Sequence, residues 1–276
     1  MMGPTRWSKK FSDRFSRFDK IYSWSKKIYS WSKTWQLKLA SNKCQHNRIT
    51  LSTDVSTSDD YSLSDVLLPT VNNVRDLGVL VDSRLTFRDH INSVVSRGHI
   101  RAMQIWRCFL CKDVSNLIRA FTVYVRPMME YCSPLWSPVS IQLVNQLESV
   151  QRRFTKRLPG FNSFSYDERC TRLGINRLEL RRLHADLTLC YKIIHGYVSL
   201  SPDNFFTVVR DHRTRGHSLK LFVPDARVNC RKHFFAVRVI NVWNSLPDEV
   251  VSTNQLSRFK THIKQINLNN FLIGKA

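Results

Sequence analysis

Three residue sets in this chain have types and spacings that could do chemistry. The first is the adjacent pair Asp59-Asp60. Paired carboxylates hold Mg²⁺ in nucleotidyl-transfer sites, where the metal activates a hydroxyl and stabilises the leaving oxygen. These two sit inside STDVSTSDDYS, whose Ser and Thr content reads as a solvated loop. The second set is Cys108-x-x-Cys111. On a helix, positions i and i+3 share a face and could ligate a metal. No second ligand pair stands at zinc-finger spacing, however, and His90 and His99 are near in sequence alone. Buried thiols in a helix core are the expectation there. The third set is basic: Arg152, Arg153, Lys156 and Arg157, joined farther on by Arg181 and Arg182. One-turn spacing makes the first four a positive helix face able to follow a phosphate backbone, with an ordinary solvated face as the plainer alternative. No Walker loop, dinucleotide fingerprint or G-x-S-x-G elbow occurs, and Cys230 with His233 is too sparse for a zinc knuckle.

The charge balance favours the third set. Lys and Arg outnumber Asp and Glu by 43 to 21 in 276 residues, a net charge of +22. The excess is about +8 over residues 1–40, about +9 over 91–200 and about +7 over 201–276, so it is not confined to a tail. A surface facing nucleic-acid phosphates has this character. The cysteine count, 7, is odd and the spacing irregular, which points to an intracellular, reducing compartment. No apolar run approaches the roughly 18–20 residues of a membrane span, so no membrane partner is expected.

The elements that must position these residues are legible as periodicities. IYSWSKK at 21–27 is repeated as IYSWSKT at 28–34, which puts Trp24 and Trp31 on one helix face with Trp35 a turn further, expected to pack on a sheet. QLKL, HNRITLS, YSLSDVLLPTV and RDLGVLVD alternate as strands, with Gly78 marking a bulge or a close backbone approach. From Thr86 the spacing of Ile91, Val94, Val95, Ile100 and Ile105 is helical. A second apolar helix covers Val114 to Tyr131, its stripe being Leu117, Ile118, Phe121, Tyr124 and Val125, with a kink or end at Pro127. Ser137 with Pro138 reads as the start of the helix that carries LESVQRRFTKRL. Ser165 and Glu168 form a capping box for a short helix ended by Gly174. A long helix follows, with Leu178, Leu180, Leu183, Leu187, Cys190, Ile193 and Ile194 inward and Arg177, Arg181, Arg182 and Lys192 on the polar face.

Several strings match one known family in order. WSKTWQLKLASNKC (Trp31 to Cys44), RDLGVLVDSRLTFRDHI (Arg75 to Ile91), YVRPMMEYCSPLWSP (Tyr124 to Pro138) and the set Phe234, Phe235, Arg238, Trp243, Asn244, Leu246 and Pro247 resemble reverse transcriptases of non-LTR retrotransposons, the jockey-like branch of LINE elements. The resemblance spans about residues 28–265. It implies that the first string follows the catalytic hairpin, that Leu77, Gly78 and Val79 are the tip of a primer grip, and that the basic set lies in a thumb tracking template and primer. The family's catalytic Asp-Asp lies upstream of the W-x-x-x-W helix. Asp59-Asp60 comes after it, and the stretch before Trp31 holds no Asp-Asp.

The expected fold is α+β and mostly helical. Residues 1–27 form a basic lead-in, poorly ordered or helical. A small antiparallel palm-end remnant with the grip-like hairpin covers 28–90, a helical thumb-like region 91–200, and a mixed C-terminal region 201–276, with a short strand near KLFVP and a final helix. The expected function is that of a truncated retrotransposon-derived reverse transcriptase fragment, inactive alone, that binds RNA or DNA through phosphates without sequence preference. No catalytic or metal-ligating residue is assigned and no cofactor is expected, Mg²⁺ entering only with a separate catalytic half. Two alternatives remain: part of an active RNA-directed DNA polymerase whose catalytic half lies outside this chain, and a basic protein-binding scaffold.

Overall fold

The computed structural model describes residues 27–37, 39–49, 61–63, 66–209 and 216–274. Asp59-Asp60, Trp24 and most of the basic lead-in lie outside the described residues. The chain divides into two compact units, residues 1–75 with 82–84, and residues 76–81 with 85–276. Taken over its described residues, the fold is mostly helical α+β.

In the first unit residues 27–34 are helical. Trp31 and Trp35 are 53% and 65% exposed, where packing on a sheet was expected. Among the described residues of QLKL and HNRITLS no strand is present, residues 38 and 50–52 lying outside the description. His46 makes an isolated parallel bridge to Thr70, its N–H donating to the Pro69 carbonyl at 3.0 Å and its carbonyl accepting from Val71 N–H at 2.8 Å. Alternation alone does not make a strand without a neighbour in register. Ser62–Leu63 (β1) and Val66–Leu67 (β2) do pair, antiparallel, with Ser62 opposite Leu67.

Asn73–Asp76 (β3) and Val79–Asp82 (β4) make the second two-stranded sheet. Leu77 and Gly78 both have positive φ, 43° and 88°, the requirement of a two-residue hairpin turn whose twist matches its strands. Gly78 is therefore a turn residue and not a bulge inside a strand.

The second unit is a helical body with two large hydrophobic clusters and a small third one at Tyr166, Cys170 and Ile175. Arg88–Cys108 (α1) buries Ile91, Val94, Val95, Ala102 and Ile105, while Ile100, expected inward, is 56% exposed. Val114–Ala120 (α2) runs through a π-helical turn at Phe121–Val125 into Arg126–Glu130 (α3). The wide turn has two causes in the sequence. Pro127 offers no N–H to the turn before it. Leu117, Phe121, Val125 and Met129, each fully buried, also recur at strict intervals of four, longer than the 3.6 of an α-helix. Tyr124, expected in the buried stripe, is thereby 55% exposed.

After the short Ser133–Trp136 (α4), Ile141–Lys156 (α5) packs along α1. Its cap is Ser140, whose hydroxyl accepts from Leu143 N–H at 3.3 Å; Ser137 instead closes α4. Gly98 of α1 leaves room for α5 and α3, since a Cβ there would lie 3.2 Å from Val150 and 2.9 Å from the Met129 sulfur. Tyr166–Arg172 (α6) opens on the reciprocal Ser165/Glu168 capping box. Leu178–Ile194 (α7) has no cap of its own. Glu148, 3% exposed on α5, supplies one: its carboxylate accepts from Leu178 N–H at 3.0 Å and Glu179 N–H at 3.3 Å, and also from the Tyr166 hydroxyl. A carboxylate at those orphan donors also suits the positive end of the helix. With Leu178 in the first cluster and Leu187 in the second, α7 is the spine between them.

Beyond α7 come Asn229–Lys232 (α8), Phe235–Arg238 (α9), Ile240–Asn244 (α10), Asp248–Val251 (α11) and Leu256–Gln265 (α12). The strand expected near KLFVP is reduced to a bridge between Val208 and Leu221. The family-like string at 234–247 serves packing. Arg238 donates twice to Asp186, both at 2.9 Å, and also to the carbonyls of Pro134 and His233. Trp243, fully buried, donates from Nε1 to the Leu219 carbonyl at 2.9 Å. Asn244 brackets Leu221, accepting from its N–H and donating to its carbonyl, each at 2.8 Å.

Candidate nucleic-acid interface

The basic residues read from the sequence do not share one surface. Arg153, Lys156 and Arg157 are exposed and line a groove of about 370 Å³ between α1 and the end of α5. Arg152 turns toward α6, its guanidinium 5.2 Å from the centre of the Tyr166 ring. Arg181 holds Glu130 through two bonds, Nη2 to Oε2 at 2.9 Å and Nε to Oε1. Arg182, expected on the polar face of α7, is 2% exposed.

The groove's far wall is α1, with His99, Met103 and Trp106. Trp106 is held from below by Phe154, ring centres 5.4 Å apart, and Phe154 stacks on Phe121 at 4.7 Å. Two cations flank the indole, the Arg157 guanidinium at 5.2 Å and the Lys112 ammonium at 5.6 Å from its centre. Lys112 is fixed by its bonds to the carbonyls of Trp106, at 2.6 Å, and of Phe109. Burial, and then the charge of Arg153, hold the His99 imidazole below its usual range, so it is neutral near pH 7 and meets Ser149 Oγ at 3.3 Å. None of the described lining residues is acidic. Among the described residues Arg153 and Lys156 have no ion-pair or hydrogen-bond partner. The result is a positive trough with an aromatic face set in it, able to take phosphates at its rim and a base or other flat ring against Trp106.

Trp106 and Lys112 are the functional candidates that the sequence reading missed. The signal was WRCFLCK, where an aromatic alternates with cations next to the cysteines. Those cysteines are corrected too: Cys108 and Cys111 are exposed thiols at the end of α1, not buried ones. Among the described residues no group of three or more His, Cys, Asp or Glu is placed to hold a metal ion, and no helix is long and apolar enough to cross a membrane.

At the hairpin tip Leu77 is 85% exposed whereas Val79 is 2% exposed in the core. The Tyr131 hydroxyl donates to the Leu77 carbonyl at 3.0 Å, tying the tip to the loop after α3.

A second groove, also about 370 Å³, lies between α7 and α12 and carries Arg181, Lys192, Lys260 and Lys264 around His184. Burial, then the charges of Arg181 and Lys264, push the His184 imidazole down from 6.5 to about 4. The unfolded chain binds that proton near pH 6.5 and the folded chain only near pH 4. Stability is therefore full above pH 6.5 and is lost as pH falls through this window. Allowing for partial solvent screening, the expected loss is on the order of 2 kcal/mol. Urea unfolding between pH 7 and 4.5 should show it, with a flatter dependence in His184→Gln. Equal slopes in the two proteins would remove His184 as the cause.

No protein-family profile matches the chain, and no solved structure matches it. An uncharacterized protein of Caenorhabditis elegans is 28% identical over 149 residues, covering 49% of this chain and 75% of that protein. A probable RNA-directed DNA polymerase from transposon X-element of Drosophila melanogaster is 20% identical over 218 residues, 78% of this chain. A probable RNA-directed DNA polymerase from transposon BS, also of Drosophila melanogaster, is 27% identical over 124 residues, 44% of this chain. The chain spans only 22% and 14% of those two polymerases. These weak similarities support an origin related to the reverse transcriptases of transposable elements.

Proposed function

We propose that the chain is a retrotransposon-derived reverse transcriptase fragment whose second unit binds RNA or DNA through phosphates, without sequence preference and without polymerising by itself. The observation that carries this reading is the groove that Arg153, Lys156 and Arg157 line together with Trp106, with no acidic residue among its described lining. In this reading residues 28–90 are the end of a palm of the LINE, jockey-like type, the β3–β4 turn at Leu77 and Gly78 corresponds to a primer grip, and residues 91–200 are thumb-like. The carboxylates and Mg²⁺ for nucleotide transfer would come from a separate catalytic half.

Fluorescence anisotropy of a labelled single strand and a labelled primer–template, across a salt series, tests the binding. Contacts from the three groove cations predict a slope of log Kobs against log salt near −2 on single strands, about 0.7 per phosphate. Replacing Arg153, Lys156 and Arg157 together by Glu should weaken binding about 10- to 100-fold and flatten that slope. Retained binding with an unchanged slope in this variant would reject the groove. Extension of the primer on adding Mg²⁺ and deoxynucleotides would reject inactivity, and binding that survives high salt would favour a protein-binding scaffold.

A further inference from the structure

The groove between α7 and α12 holds its cations in a row. The two helices run antiparallel there. Tyr191 stacks on Phe259 with ring centres 4.2 Å apart, while His184, earlier on α7, faces Ile263 and Lys264, later on α12. Arg181, His184, Thr188 and Lys192 follow one another at intervals of three and four, so they share one face of α7. Lys260 and Lys264 stand one turn apart on α12 and share a face in the same way. The order along the groove is therefore Lys192 with Lys260 toward one end, and Lys264 with His184 and Arg181 toward the other. Between those ends α7 advances from 184 to 192, about 12 Å of helix.

The lysine charges are unanswered. Lys260 and Lys264 are exposed and Lys192 is half-buried. None of the three has an ion-pair or hydrogen-bond partner among the described residues. Glu130 is the one carboxylate among the described lining residues, and it is already committed. Arg181 holds it through two bonds, and Arg126 stands 3.7 Å from it as well. Beyond these groups the described lining is Ala185, Thr188, Leu189 and Ile263, with no Phe, Tyr or Trp.

We propose that the α7–α12 groove is a second contact for the phosphate backbone of a nucleic acid, made by Lys192, Lys260 and Lys264. The inference rests on the nucleic-acid reading above and extends the bound strand from the groove at Trp106 to the part of the body closed by α12. Ammonium groups on flexible stems suit phosphates as point charges. The length of the row argues for a backbone, since a single phosphate ion meets the cations of one end only. One strand of a duplex advances about 3.4 Å per phosphate, so about 12 Å carries three to four, roughly one for each lysine. With no large aromatic ring in its described lining, this groove has no platform for a base, and stacking is left to Trp106.

Anisotropy of a labelled strand of about 40 bases, across a salt series, reads the two grooves separately. Replacing Lys192, Lys260 and Lys264 together by Gln should flatten the slope of log Kobs against log salt by about 2, at about 0.7 per phosphate, and weaken binding about 10- to 100-fold. None of the three lysines has a bond to lose, so this variant should keep the parental Tm. In the protein with Arg153, Lys156 and Arg157 replaced by Glu, a slope of about −2 should remain, and adding the lysine changes should remove it. Replacing Arg227, Arg231 and Lys232 by Gln takes the same charge from exposed residues that line neither groove, and should leave the slope close to that of the parent. NMR titration of His184 locates the strand. Bound phosphates oppose the charges of Arg181 and Lys264, so the imidazole pKa should rise with the strand in the parent and stay put with it in the lysine variant. A lysine variant with the parental slope, one no different from the Arg227, Arg231 and Lys232 control, or a His184 indifferent to the strand would overturn the contact. A parent that binds no strand would remove the nucleic-acid reading and this contact together. Binding kept by the Glu variant and lost by the lysine variant would reject the groove at Trp106 and leave the α7–α12 contact standing.

Discussion

Asp186→Ala should lose about 3–5 kcal/mol of folding stability, because it strips a buried ion pair of one partner. Asp186 is 3% exposed and accepts two bonds from Arg238. The same guanidinium reaches the Pro134 carbonyl at 2.8 Å and the His233 carbonyl at 3.0 Å, so one side chain joins α7, α4 and the approach to α9. Removing the carboxylate leaves Arg238 short of its counter-charge beside Arg182, which is already buried without a bonded partner. The two-sided nature of the penalty gives the test. Asp186→Ala combined with Arg238→Met removes both charges, and losing a whole buried pair costs far less than stripping it of one partner. The double variant should therefore recover most of what the single variant loses, with a coupling energy of about 2–3 kcal/mol in a urea double-mutant cycle. Additive losses would mean that Arg238 acts through its two carbonyl bonds and not through Asp186.

How far the sequence foretold this body depends on how local each interaction is. The Ser165/Glu168 capping box joins residues three apart, and it forms as read. The cap of α5 was misplaced by one candidate serine, because Ser137 and Ser140 both have the chemistry and only the start of the helix chooses between them. Gly78 was misassigned because φ > 0 at both Leu77 and Gly78 is a property of the turn, which alternation in RDLGVLVD conceals. The π turn was implicit in the four-residue spacing of Leu117, Phe121, Val125 and Met129, but the reading fitted it with an α-helical stripe. Arg182 was the hardest position. It sits one residue from Arg181, and a helical wheel separates the two by only 100°. Whether that rotation reaches solvent or core depends on the elements after residue 200 that close over α7. The groove was half legible. The α5 cations were visible as a cluster, whereas Trp106 and Lys112 enter from another part of the chain and meet them only through the packing of α1 on α5.

Trp243→Ala should cost about 3–5 kcal/mol, the range for deleting a fully buried large aromatic. The indole is fully buried against Phe259, ring centres 6.1 Å apart, with the His217 ring edge-on at 6.1 Å. Its Nε1 bond to Leu219 lies beside the two bonds between Asn244 and Leu221, so the adjacent pair Trp243-Asn244 fixes residues 219–221 as if by a third of a sheet ladder. Trp243→Phe keeps much of the ring but leaves the Leu219 carbonyl unmet, and about 1–2 kcal/mol is expected from that alone. The measurement is chemical unfolding of both variants, with nucleic-acid binding taken below their transitions. If the string at 234–247 is architectural, folded Trp243→Phe should bind as the parent does, since the groove at Trp106 is built from α1 and α5. A variant that folds with parental stability would break the assignment of Trp243 to the core. A folded one that loses binding would place this string in the nucleic-acid surface, and the division of labour between the two parts of the helical body would have to be redrawn.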